Sequence, residues 1–270
     1  MMRFAKNDPA SFLSSNMPKP IQFISFEGVT KRYDSIVAVD DVSCVFEGGK
    51  THVLLGSSGC GKTTLLRLIL GLISPDKGWV RIDDRAMSSL TRDELVAEMG
   101  YVVQEGGLFP HLTAQQNVSL AANALGWTDQ RIADRIAELV KLVGFKDSIM
   151  NKFPVELSGG QRQRISLMRA LMLDPPILLL DEPLGSLDPL VRDDLQQHLI
   201  EIFRKLQKTV MIVTHDIREA AILGETITLM TEGKIVQHGS FQDLATNPSS
   251  DFVTAFLQAQ ELPSHLQGFF

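Results

Sequence analysis

Residues 56–64 read Gly56-Ser57-Ser58-Gly59-Cys60-Gly61-Lys62-Thr63-Thr64. Glycine at 56, 59 and 61 lets the backbone approach a ligand closely and adopt turns that other residues resist. A compact cation and then a hydroxyl follow. Backbone N–H groups around a point charge suit a ligand with several negative charges in a small volume, and a triphosphate is the common one. Lys62 then meets the β- and γ-phosphates, the Thr63 hydroxyl ligates Mg²⁺, and a helix starting near Lys62 adds its positive N-terminal end.

Two further clusters extend this chemistry. In Ile177-Leu178-Leu179-Leu180-Asp181-Glu182-Pro183 an apolar run ends in two carboxylates. Asp181 at a strand end suits Mg²⁺ held through water. Glu182, one residue on, projects differently and suits a base that polarises an attacking water. In Leu157-Ser158-Gly159-Gly160-Gln161, Ser158 caps a helix over 161–172 and two glycines bare the backbone. This makes a second anion site, with the helix N-terminus pointing outward. Kinases and GTPases have no need of such a segment. A GTPase would also want Asn-Lys-x-Asp, and the nearest run, Asn151-Lys152-Phe153-Pro154, lacks the Asp.

These residues require a particular scaffold. Residues 51–55 form a short apolar strand running into the glycine loop, and 63–70 have helical composition. Strand patterns recur at 21–26, 39–46, 79–82, 101–103, 177–180, 210–213, 227–230 and 235–237, with 29–34 leading into a turn. Strands alternating with helices predict an α/β domain on a largely parallel sheet, and the first strands, lacking helices between them, predict a small antiparallel part. From about 104 to 170 only helices and loops are expected. Residues 130–143 carry Ile132, Ile136, Leu139, Val140 and Val143 on one face before Gly144 stops the helix. The expected organisation is a lead-in over 1–20, a core over 21–247 with a helical subdomain inserted at about 104–170, and one helix with a tail over 248–270.

The bulk numbers are permissive. The chain has 270 residues, 44% hydrophobic, with a net charge of −6. Mild acidity argues against a nucleic-acid partner bound by bulk charge. Two cysteines, Cys44 and Cys60, make no disulfide framework, and the reading is a reducing compartment. No stretch approaches the ~18 apolar residues that span a bilayer, so membrane association is expected through a partner. The remaining histidines, His52, His111, His198, His238 and His265, have no metal-site spacing.

Together these segments resemble the ATP-binding cassette (ABC) ATPases over roughly 21–257: a phosphate-loop core with an inserted helical subdomain. The resemblance identifies 56–64 as Walker A, Gln104 as the Q-loop, 157–161 as the signature motif and 177–182 as Walker B. It identifies Ser186-Leu187-Asp188 as the D-loop, His215 as the switch histidine and Tyr33 as an aromatic stacked on adenine. It implies ATP and Mg²⁺, the latter near Thr63, Gln104 and Asp181, and catalysis by Glu182, His215, Gln104 and Lys62. It also implies a head-to-tail dimer in which the signature residues Ser158, Gly159, Gly160 and Gln161 of one copy close over the γ-phosphate of the other.

A single cassette of this kind resembles importer ATPases that work on the cytoplasmic face of the membrane with separate permeases. The wording at 99–104, 107–113, 181–191 and 214–220 is most like the group for glycine betaine, choline and related osmoprotectants, served indirectly by a solute-binding protein. With the chain ending at Phe270, no C-terminal regulatory pair of domains is expected. Leu108, Phe109 and Leu112 suit either anchors for a permease helix or core of the helical subdomain. An exporter ATPase, another small-solute importer and a non-transport ABC protein are the rival readings.

Overall fold

Val53, Leu54 and Leu55 have no polar face, and the strand that holds them is buried along its whole length. The computed structural model describes residues 20–104, 106–185 and 187–259. Most of the expected lead-in, Ser186 of the D-loop stretch and the tail from 260 lie outside the described residues. In chain order the elements are β1 (Phe23–Tyr33), β2 (Ile36–Glu47), β3 (Thr51–Gly56), α1 (Lys62–Ile69), β4 (Lys77–Ile82), β5 (Arg85–Ala86), α2 (Arg92–Glu98) and β6 (Met99–Val102). Then come α3 (Ala114–Ala124), α4 (Asp129–Leu142), α5 (Gly159–Leu171), β7 (Ile177–Asp181), α6 (Pro189–Leu206), β8 (Thr209–Thr214) and α7 (Ile217–Leu223). Last are β9 (Thr226–Thr231), β10 (Lys234–Gly239), α8 (Phe241–Thr246) and α9 (Asp251–Gln258).

The strands form two sheets. Six run in the order β10-β9-β3-β8-β7-β6, parallel except for the β9–β10 hairpin. Four run antiparallel in the order β2-β1-β4-β5. The inner strands β3, β7 and β8 are buried along their length, which is why they read as continuous apolar runs rather than alternating ones. Helix α1 packs Leu65, Leu66, Leu68 and Ile69 into the core that also holds Phe26, Phe46 and Leu54. Each such side chain contributes about 1.5–3 kcal/mol on burial. A second core joins the other face of the parallel sheet to the helices between β6 and β7, through Leu55, Leu180, Val118, Leu139 and Ile165.

One consequence governs the site. Leu55 pairs with Thr214 and Asp181 with Val213. The loops after β3, β7 and β8 therefore leave the sheet from one edge, where open α/β sheets bind ligands.

The segment 29–34 leads into a turn at Asp34, but as part of β1, which runs to Tyr33 through a register shift beside Gly28, whose φ is 59°. The stretch from Phe241 contains two helices rather than one, because Ser240 and Asp243 form a capping box that starts α8. A further helix, α2, begins at the Thr91–Glu94 capping box, a signal present in the sequence but not used.

Candidate functional site

The loop after β3 has an exposed crown and a buried base. Ser57, Ser58 and Gly59 face solvent, while Cys60, Gly61 and Lys62 are buried. Gly61 sits at φ 109°, and a Cβ there would stand 2.3 Å from the carbonyl oxygen of Ala38, so only glycine fits. It is also the N-cap of α1, and no side chain caps that helix. The first N–H groups of α1, near Lys62, Thr63 and Thr64, are thus free of a side-chain acceptor. Lys62, only 5% exposed, bends back to donate from Nζ to the carbonyls of Gly56 at 2.7 Å and Ser57 at 2.8 Å. The Cys60 sulfur lies 3.7 Å from the same ammonium. β2 backs onto the loop through Ala38, and Tyr33, 41% exposed, pairs with Ile36 where β1 turns into β2.

Opposite the loop, the Thr63 hydroxyl donates to Asp181 Oδ1 at 3.1 Å and the Tyr101 hydroxyl donates to Oδ2 at 3.4 Å. Burial pushes the Asp181 carboxyl above its usual range, the Thr63 hydrogen bond opposes this, and the neighbouring charge of Glu182 adds to it. Burial and then the Asp181 charge push the Tyr101 phenol up to about 12, so it stays a donor. A buried carboxylate beside a hydroxyl is a hard-oxygen pair of the kind that holds Mg²⁺ when phosphates and water supply the remaining ligands. The residues present therefore fit the metal.

Glu182 follows at φ 46°, a left-handed conformation rare for a non-glycine residue and concentrated at functional sites. Its N–H donates to Val213 O at 2.9 Å, which holds the kink. The turn aims the carboxylate between two groups from other loops. Gln104 Nε2 donates to Oε2 at 3.2 Å, and His215 Nδ1 lies 3.4 Å from Oε1. Three residues separated by 78 and 33 positions thus meet at one carboxylate. Behind His215, Thr214 donates to the buried Glu219 at 2.6 Å, and Asp216 N–H donates to Thr214 Oγ1 at 3.1 Å. Burial raises the Glu219 carboxyl, and the Thr214 bond opposes it. Sequence reasoning assigned no role to Tyr101 or Glu219. Tyr101 has one signal, a polar tip within an apolar strand, while Glu219 lies in α7 and has none that residue types alone provide.

The signature segment lies apart. Ser158 Oγ accepts from Gln161 N–H at 3.3 Å, and Gln161 Oε1 accepts from Ser158 N–H at 3.0 Å. Gly159 and Gly160 follow as the first residues of α5, so the helix starts two residues before the expected Gln161. Among the described residues no hydrogen bond joins 158–161 to the phosphate loop, Asp181 or Glu182. Asp188 is exposed and caps α6 by accepting from Val191 N–H at 3.2 Å. Of the two readings for the segment after Gln104, Leu108 packs against the helical core while Phe109 is 47% exposed. Leu112 is half-buried.

The sequence model of the family described as ABC transporter matches residues 39–185. The chain is 42% identical over 239 residues to a glycine betaine uptake system ATP-binding protein of Escherichia coli, covering 88% of this chain and 78% of that protein. It is 41% identical over 240 residues to a choline transport ATP-binding protein of Bacillus subtilis, covering 88% of this chain and 63% of that one. The chain thus spans less than two thirds of the Bacillus relative. Among solved structures it resembles a dimeric ATP-binding cassette in a post-hydrolysis state bound to ADP and Pi. That match has a TM-score of 0.72 and 33% identity over 80% of this chain and 98% of the other. The chain belongs to the ABC transporter ATP-binding family.

Proposed function

We propose that this chain is the nucleotide-binding subunit of an importer. It hydrolyses ATP at a site shared by two copies and drives a small osmoprotectant of the glycine betaine or choline class through a separate permease. The observation that carries the catalytic part is the convergence of Gln104 and His215 on Glu182, beside the Thr63–Asp181 pair.

In this reading the triphosphate lies along the loop at 56–64, with its adenine against Tyr33. Lys62 exchanges the Gly56 and Ser57 carbonyls for phosphate oxygens, and the uncapped N-terminus of α1 gives them further donors. Thr63 and Asp181 hold Mg²⁺ with Gln104 nearby, and the bound metal neutralises charge on the β- and γ-phosphates. Glu182 accepts a hydrogen bond from the attacking water and takes up its proton. Gln104 and His215 fix the direction in which that carboxylate points, and His215 reaches the γ-phosphate. The signature segment at 158–161 and Asp188 of a second copy complete the cage. Among the described residues the start of α5 makes no hydrogen bond to this chain's own phosphate loop, which leaves it to a second copy.

Partner and solute rest on the relatives. The Escherichia coli and Bacillus subtilis proteins act on glycine betaine and choline by name, while two relatives from Brucella abortus, 40% identical, are iron(III) import ATP-binding proteins. No helix among the described residues is long and apolar enough to cross a membrane. Exposed Phe109 suits a permease helix, and Ala114 N–H donates to Lys152 O, which joins the start of α3 to the segment that carries exposed Phe153 and Val155. In this reading the subunit sits peripherally on the cytoplasmic face of the membrane, held there by its permease.

Uptake of labelled glycine betaine in a strain lacking this chain tests the assignment. Wild type should restore uptake. Glu182→Gln should not, although the purified variant binds ATP with turnover reduced about 10²–10⁴-fold. Restored uptake of iron(III) but not of glycine betaine would move the solute to the second class.

A further inference from the structure

Helix α5 carries the signature residues at its start and grips a different loop further along. Ser166, fully buried, donates from Oγ to the carbonyl of Gly106 at 2.7 Å. Arg169 donates from Nη1 to Gly107 O at 2.8 Å and from Nη2 to Gly106 O at 3.0 Å. Burial lowers the Arg169 pKa, and no carboxylate among the described residues offsets it. Those two carbonyls are the acceptors that compensate the guanidinium for lost water.

The gripped loop is shaped for this contact. Gly106 and Gly107 have φ 79° and 52°, and a Cβ on Gly107 would stand 2.1 Å from Val103 Cγ2. Gly106 N–H donates to Val103 O at 3.0 Å and closes the turn that contains Gln104. Gln104 in turn donates to Glu182. An unbroken chain of contacts therefore runs from α5 through Gly106 to the catalytic carboxylate. Gln163, one turn before Ser166, is buried beside Gly106, and its Nε2 has no hydrogen-bond partner among the described residues. That donor is available to a loop carbonyl if the loop moves relative to the helix.

We propose that Ser166 and Arg169 are positioning residues for Gln104, and that through them α5 couples the two nucleotide sites of a dimer. The inference rests on the reading above, in which the α5 N-terminus closes over the partner's γ-phosphate. A helix moves as a rigid element and transmits displacement through hydrogen-bonded contacts. Engagement of one nucleotide by α5 then sets Gln104 against Glu182 in the helix's own site. Neither side chain touches nucleotide, so both act through Gln104.

The test compares Mg-ATPase against ATP concentration for the full-length wild type, Ser166→Ala, Arg169→Ala, Arg169→Lys and Ser166→Ala/Arg169→Ala. Affinity for a fluorescent ATP analogue is measured in parallel. The wild type should show a Hill coefficient above 1. The double variant should lose roughly 10-fold or more in kcat with analogue affinity unchanged within about twofold, the mark of an interaction made only on the way to the transition state. Its Hill coefficient should fall to about 1. Arg169→Lys, which still donates to a carbonyl, should recover part of kcat. If Arg169→Ala does not fold, Ser166→Ala and Arg169→Lys carry the comparison. Wild-type kcat and Hill coefficient in the folded variants, a wild-type Hill coefficient of 1, or kcat and affinity falling together would each overturn the coupling. A wild type without Mg-ATPase would overturn the underlying assignment instead.

Discussion

Helices α1 and α5 both begin at glycine-rich segments assigned to phosphate, yet they begin in opposite ways. The start of α1 is buried against Ala38, held by a left-handed Gly61 and given no side-chain cap. The start of α5 is satisfied by its own Ser158–Gln161 capping box. A glycine in place of a capping side chain costs a helix only about a few tenths of a kcal/mol, so α1 gives up little stability in leaving its first N–H groups without a side-chain acceptor. The start of α5 is satisfied without a ligand. In the proposed reading the first segment is the half of a site that binds within one chain, and the second is the half offered to a neighbour.

That contrast predicts unequal responses to mutation. Lys62→Ala removes the cation and strands the Gly56 and Ser57 carbonyls. ATP affinity of the isolated chain should fall about 100-fold or more, the scale of removing one partner from a buried charged contact. Equilibrium titration with a fluorescent ATP analogue reads this directly, and unaltered affinity would break the first half of the comparison. Gly159→Asp places a negative charge at the second helix start, where its Cβ meets the flexible side chains of Leu187 at 3.0 Å and Arg162 at 3.9 Å. Affinity of the isolated chain should stay within about twofold while steady-state ATPase drops roughly 10-fold or more, the loss expected of transition-state rather than ground-state contacts. A matching loss of affinity would show that α5 serves its own chain's nucleotide.

The smallest effect concerns the buried carboxylate facing Thr63. The folded Asp181 pKa lies above the ordinary 3.8, so the folded chain holds that proton more tightly than the unfolded chain. Stability is therefore lost as pH rises from 3.8 through the raised folded value, and the loss persists at neutral pH. Asp181→Asn cannot ionise. In metal-free buffer at pH 7 its melting temperature should exceed that of wild type. The gap should close on acidification toward pH 4. A lower melting temperature at pH 7 would mean that the carboxylate stabilises the fold without its ligand.

Much of this was legible from residue types. The apolar runs before Gly56 and Asp181 could only be inner strands, and the 3.6-residue spacing of Ile132, Ile136 and Leu139 gave α4 its buried face. What escaped was local or distant. Capping boxes at Thr91 and Ser240 started two short helices whose apolar content is too small for periodicity to register. The register shifts beside Gly28 join the strand pattern at 21–26 to the segment leading into the turn, a continuity that residue types do not show. At the site, motif spacing located Gln104, Glu182 and His215 but not their common contact, which depends on the left-handed turn at Glu182. Tyr101 became visible only when β6 paired with β7, with Tyr101 opposite Leu179, two residues before Asp181.

The central claim is that one chain holds half a site. Light scattering on Glu182→Gln in Mg-ATP tests it most directly. The account predicts a mass about twice the 29.9 kDa of one chain, returning to the single-chain value when Gly159→Asp is added. A Glu182→Gln chain that binds ATP yet stays at single-chain mass, or a double variant that remains paired, would contradict it.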